Sequence, residues 1–172
     1  MLIGTVLAFI LIAFILMVAL GNWRLGLFSL IPNIIPAVLA FGVWGLLVGE
    51  INMGLSVVVG MTLGIVVDDT VHFLSKYLRA RREHGYDSED AVRYAFSSVG
   101  KAIVVTSVIL VAGFSVLAQS TFGFNGDMAK MTAITVAFAL VVDFLFLPPL
   151  LMRLERRRPL VFTRENESSA EA

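Results

Sequence analysis

The sequence predicts an all-α membrane protein of five transmembrane helices, N-terminus outside and C-terminus inside, with a short cytoplasmic amphipathic helix. Three observations carry this. Of the 172 residues 58% are hydrophobic and only 15% are charged, with a mean hydropathy of +0.90, far too little polar surface for a soluble domain of this size. The apolar residues are gathered into five runs, each near the ~20 residues that cross a bilayer core. Twelve of the 13 basic residues fall on one side of those runs, hidden behind a formal net charge of zero. A soluble enzyme, a basic nucleic-acid binder and a disulfide-stapled secreted scaffold are excluded on these grounds.

The first run, residues 2–20, has no charge in Met1-Leu2-Ile3 and is too long for the apolar core of a cleavable signal, so it is read as a retained span. The second, 27–48, carries Pro32, Asn33 and Pro36. Prolines at this spacing free backbone carbonyls, which either line a ligand path or only kink the helix. The third is 55–74, and its helix is expected to run on through Tyr77 and Arg82 until Gly85 stops it. Asp87 or Ser88 then caps a helix whose Ala91, Val92, Ala95, Phe96 and Val99 share one face. That helix either lies on the cytoplasmic leaflet or packs on the ends of the neighbouring spans. The fourth run is 102–118 and the fifth 131–151. Residues 1–158 thus form one transmembrane domain, and the polar, acidic tail 159–172 is expected to be disordered.

Orientation follows from the tendency of Lys and Arg to remain in the cytoplasm. Arg24 lies between the first two runs, six basic residues lie between the third and fourth, and five follow the fifth. Lys130 is the exception.

Ionisable residues inside spans are expensive enough to be functional candidates. Gly60, Gly64, Asp68 and His72 recur every four residues, so two positions without side chains and two titratable groups share one stripe of the third helix. Such a stripe lets another helix come close. Asp69 sits about 100° around the helix from Asp68. A carboxylate in lipid without a cationic partner is costly, so such an acid exchanges its proton as hydration or conformation changes, and His72 one turn away can accept or pass on that proton. The competing reading has Asp68 and Asp69 at the cytoplasmic helix end, facing water or paired with Lys76. Thr106 and Ser107 on the fourth run either bond an acid across a helix interface or bond their own preceding carbonyls. Asp143, five residues before Pro148-Pro149, is expected at the cytoplasmic interface beside a basic residue, with a relay role as the alternative. With His84 in a charged loop and His72 the one other histidine, no metal site is expected, no cofactor is implied, and no nucleophile, base and oxyanion set suggests an enzyme.

The run Gly60-Met61-Thr62-Leu63-Gly64-Ile65-Val66-Val67-Asp68-Asp69-Thr70-Val71-His72-Phe73-Leu74 resembles the fourth or tenth transmembrane helix of the resistance-nodulation-division (RND) exporters, particularly their MMPL and Patched-like branch. Gly85, Ala91-Val92, Gly100-Lys101-Ala102-Ile103, Thr106-Ser107, Gly113-Phe114 and Ser120 resemble the family's next loop and helix. Phe138-Ala139-Leu140-Val141-Val142-Asp143 followed by Leu147-Pro148-Pro149-Leu150-Leu151 resembles its closing helix. The resemblance implies two six-helix repeats, each with a large extracytoplasmic domain after its first helix. This chain resembles the last five helices of the second repeat, a block called a sterol-sensing domain in eukaryotic relatives. It implies that Asp68 is the proton-relaying acid, that Asp69 holds a neighbouring position that is acidic or tyrosine in different branches, and that Thr106 matches a polar position near the relay.

The same resemblance implies that the first helix, the extracytoplasmic domain and the other repeat are supplied elsewhere, by the same gene or a split one. The expected chain is therefore a C-terminal fragment, one product of a split gene, or a remnant that still inserts. The function it implies is the C-terminal transmembrane module of a proton-motive-force-driven exporter of hydrophobic or amphiphilic molecules in a bacterial inner membrane. Its partners would be membrane lipids and the other repeat, with a homo-oligomer as a further assembly. The alternative is a non-transporting, sterol-sensing-like module that binds lipid or a partner.

Overall fold

A computed structural model describes residues 2–20, 26, 29–49 and 53–157. The order is α1 (Leu2–Leu20), α2 (Leu30–Leu47), α3 (Met53–Glu83), α4 (Ser88–Ala95), a π-helical turn (Phe96–Gly100), α5 (Lys101–Leu117), α6 (Gly123–Leu145) and α7 (Leu147–Arg157). There is no strand among the described residues, as a chain of this composition requires, because a helix satisfies its backbone groups within one segment. Four stretches are long and apolar enough to cross a membrane: Leu30–Leu47, Val57–Glu83, Ser88–Leu117 and Gly123–Arg153. The chain is a multi-pass membrane protein. Arg24 and the tail expected to be disordered lie outside the described residues.

Local sequence explains where each helix stops or bends. Pro36 sits inside α2, where it removes one i→i−4 bond and frees the Pro32 carbonyl. α3 has 31 residues, about 46 Å at 1.5 Å per residue, and therefore outruns a hydrocarbon core of ~30 Å. It ends where the expected Gly85 takes a φ of +63°, a left-handed conformation that glycine adopts without a Cβ penalty. The amides of His84 and Tyr86 both reach back to the Ala80 carbonyl, each at 3.3 Å, and the Arg81 guanidinium donates to the Tyr86 carbonyl across the same turn. Asp87 then caps α4, its Oδ1 accepting from the Asp90 amide at 2.9 Å.

Hydropathy misplaces several boundaries. The expected fourth span, 102–118, is the second part of a helical rod that begins at Ser88 and passes through the π-helical turn. The amphipathic helix is thus continuous with the fourth span. Its Ala91, Val92 and Ala95 are buried in a cluster with Phe73, Leu74 and Tyr77 of α3 and Leu147 and Leu151 of α7, which is the packed-connector arrangement. The fifth run, expected from Met131, starts at Gly123 instead. Asp127 and Lys130, expected in a connection, form an i,i+3 ion pair at 3.5 Å within the first turns of α6. That run is also broken: Phe146 takes φ −101° and α7 restarts at Leu147, because Pro148 and Pro149 can donate no backbone bond and fit a first helical turn.

α6 is the central helix, packed on α2, α3 and α5. One apolar cluster joins Leu16 of α1 and the C-terminal half of α3 to α4 and α7. At the opposite end of the bundle a second joins Ala40 and Trp44 of α2, Leu55 and Val58 of α3, and Met131 of α6. Between the two lie the buried polar side chains Asn33, Thr70 and Asp143, with Ser107 on α5.

Candidate functional site

The third helix presents its polar residues on two faces, and the structure assigns them to two different environments. On the outer face, a groove of about 860 Å³ runs between α3 and α5 and is lined by Gly64, Asp68, Asp69, His72 and Thr106 among others. All four residues expected to handle protons therefore share one cavity. His72 Nε2 lies 3.5 Å from Asp68 Oδ1, and their side chains are 64% and 72% exposed, so the pair is one turn apart and open to whatever covers the groove. Asp69 turns inward and is half-buried. Ser107 of α5, fully buried, lies beside it.

Thr106 takes the local option open to it: its hydroxyl lies 3.0 Å from both the Ala102 and the Ile103 carbonyls, bonded within its own helix while its side chain borders the groove. Gly60 and Gly64 are exposed, and a Cβ built on either would meet nothing within 4 Å. The close helix approach expected along this stripe is made by no described residue of the chain.

On the inner face, Thr70 is fully buried. Its Oγ1 lies 2.8 Å from Asn33 Oδ1 of α2, 3.2 Å from Asp143 Oδ1 of α6 and 3.3 Å from its own Val66 carbonyl. Asn33 in turn donates through Nδ2 to the Ser29 carbonyl at 2.7 Å. Asp143 is 4% exposed, makes no ion pair among the described residues and leaves Oδ2 without a hydrogen-bond partner. This corrects the expectation that Asp143 sits at an interface beside a basic residue. The side chain faces the bundle interior because the helix breaks only at Phe146, which leaves Asp143 in the last regular turn of α6 against α3. Asp69 and Asp143 are near enough to repel one another when both are charged.

Sequence reasoning passed over Thr70. Threonine in an apolar helix usually bonds its own preceding turn, as Thr62 and Thr135 do here at 2.7 and 2.8 Å, and nothing local distinguishes the exception. The available signal was its helical position: two residues after Asp68, Thr70 points away from the stripe and into the bundle.

A family model described as the MMPL family matches residues 1–170. Among individual relatives, the chain is 28% identical over 133 residues to the membrane protein MJ1562 of Methanocaldococcus jannaschii, covering 77% of this chain and 34% of that protein. It is likewise 28% identical over 152 residues to the sulfolipid-1 exporter MmpL8 of Mycobacterium tuberculosis, covering 86% of this chain and 14% of the exporter. The chain thus spans about a third of one relative and a seventh of the other. No solved structure matches it.

Proposed function

The chain belongs to the MMPL family, and from that premise we propose that it is the C-terminal transmembrane module of a proton-motive-force-driven exporter, with Asp68 as an intramembrane proton relay. In this reading α1 also spans the membrane and brings the number of spans to five, the N-terminus is outside, the basic connections are cytoplasmic, and the membrane is a bacterial inner membrane. The observation that carries it is the position of Asp68. It lies within the apolar run 55–74, it is 72% exposed, and lipid does not accept a bare carboxylate inside a span. The groove must therefore be covered by another helical bundle or filled with water. Both conditions suit a relay, and the first suits a missing repeat supplied by the same or a split gene.

The chemistry is simple. Asp68 takes a proton from outside, passes it to or shares it with His72 one turn along, and α3 shifts against the covering bundle as the charge changes. A proton moving down a potential supplies ~2.3 kcal/mol per 100 mV, enough to bias a two-state helix arrangement provided the two states bind the proton differently. Asp69 and Thr106 complete the polar wall of the groove. Sulfolipid-1 is the cargo named for the mycobacterial relative, and amphiphilic lipids are accordingly the cargo class proposed here. In the complete assembly, Asp68→Asn is expected to abolish transport while membrane insertion stays normal. Transport at the wild-type rate in that variant removes the relay. A lipid-binding module without transport is favoured if the groove binds lipid equally well with and without a proton gradient and tolerates Asp68→Asn.

A further inference from the structure

The groups around Thr70 can be counted proton by proton. The Ser29 carbonyl can only accept, and it lies 2.7 Å from the Asn33 side chain, so that contact must be made by the amide Nδ2 and the orientation of Asn33 is fixed. Its Oδ1 then faces Thr70 at 2.8 Å, and a carbonyl oxygen can only accept. The single hydroxyl proton of Thr70 must therefore point at Asn33. The Val66 carbonyl, at 3.3 Å, already serves the backbone ladder of α3 and is the poorer acceptor. What remains on Thr70 Oγ1 is lone pairs, and they face Asp143 Oδ1 at 3.2 Å. A carboxylate there would set lone pair against lone pair; a carboxylic acid would donate. The second oxygen points the same way: Asp143 Oδ2 is buried with no hydrogen-bond partner among the described residues, an arrangement costly for a charged oxygen and far cheaper for a neutral one.

We infer that Asp143 is a second proton-binding site of this chain, holding a proton in the state described here, and that Thr70 is a one-proton switch linking it to α2. With the acid protonated, the order is Asp143 O–H to Thr70, Thr70 O–H to Asn33, Asn33 N–H to the Ser29 carbonyl. Loss of the Asp143 proton turns the Thr70 hydroxyl round to the carboxylate, and Asn33 Oδ1 loses the donor it has among the described residues. Asn33 lies between Pro32 and Pro36, where α2 has the fewest backbone bonds to resist bending, so this is the helix segment most able to respond. The ionisable group acting on Asp143 is Asp69 of α3; among the described residues α2, α5 and α7 set none against it. Asp69, beside the groove, thus connects the outer acid to the inner one by repulsion. The consequence for transport rests on the relay reading above, whereas the protonation of Asp143 does not.

The test is infrared difference spectroscopy of the full chain reconstituted in phospholipid nanodiscs, titrated with alkali from neutral pH. The wild type is expected to show a protonated carboxylic C=O band at neutral pH that Asp143→Asn removes and Asp69→Asn retains. Thr70→Val should keep the band but move it to higher frequency, because the acid loses its acceptor. Should Asp143→Asn fail to insert, Asp143→Glu must shift the band. Absence of a band at neutral pH, or a band lost in Asp69→Asn and kept in Asp143→Asn, overturns the inference however transport behaves. A band assigned to Asp143 together with normal transport in Asp68→Asn overturns the relay and leaves this inference standing.

Discussion

Thr70 places one hydroxyl in contact with polar side chains of two other helices. In lipid there is no hydrophobic force to pull helices together, so interhelical hydrogen bonds and close packing hold the bundle, each bond contributing roughly 0.6–2 kcal/mol. The Thr70 hydroxyl of α3 touches polar side chains of both α2 and α6, Asn33 at 2.8 Å and Asp143 at 3.2 Å. Thr70→Val keeps the shape and deletes the hydroxyl, and it should cost about 1–2 kcal/mol of bundle stability, read from thermal unfolding in detergent. Thr135→Val is the control: among the described residues that hydroxyl bonds the Met131 carbonyl of its own helix alone, at 2.8 Å, and its loss should stay within about 0.5 kcal/mol. Equal effects in the two variants would mean that the three-helix junction carries no special weight. The difference between these threonines could not be read from the sequence, because the partners of Thr70 lie 37 and 73 positions away. The stripe of Gly60, Gly64, Asp68 and His72 was legible for the opposite reason, since its geometry is set entirely by the period of one helix.

Elements, by contrast, were legible in existence and misjudged in extent. Hydropathy marks where polar residues stop, whereas a helix continues as long as its backbone is bonded. Asp127 and Lys130 ended the apolar run yet sit comfortably in the first turns of α6 as an ion pair. The Gly85 stop was read correctly and the cap was narrowed to Asp87 or Ser88, of which Asp87 makes the bond, because each rests on a local backbone rule. The cap has a measurable weight: Asp87→Ala removes the acceptor of the Asp90 amide, 2.9 Å away, and should cost about 1 kcal/mol, with faster hydrogen exchange confined to the first turn of α4. Protection at Asp90 unchanged in that variant would show that packing alone sets the start of α4. Packing is the stronger force at this end of the bundle. Leu151 is 4% exposed in the cluster that joins α7 to α3 and α4, and α3, with 31 residues, outruns the hydrocarbon core, so that the Tyr77, Leu78 and Ala80 end of this cluster reaches toward water, which again drives burial. Leu151→Ala should therefore cost about 2–5 kcal/mol, and a loss below 1 kcal/mol would argue that α7 is held by lipid instead of by the cluster.

For the whole molecule, the decisive feature is the contrast between the two faces of α3. The inner face closes on α2 and α6 through the Thr70 hydroxyl, in contact with Asn33 and Asp143, while Asp143 Oδ2 is left without a partner among the described residues. Along the outer face Gly60, Gly64, Asp68 and His72 meet open space, although small residues at this spacing are what a close helix crossing requires. A leucine at Gly64 therefore separates folding from assembly. Nothing lies within 4 Å of the Cβ it would add, so Gly64→Leu should leave the thermal stability of the isolated chain unchanged or slightly raised, since glycine is about 1 kcal/mol worse than alanine within a helix. In membranes that contain the covering bundle, the same side chain should hold the two helices apart and abolish cross-linking between cysteines introduced into α3 and its partner, since the chain has none of its own, with transport lost as well. Cross-linking that survives Gly64→Leu at the wild-type level would show that the groove is covered elsewhere or faces water, and Asp68 would then reach its protons through an aqueous path without a second bundle.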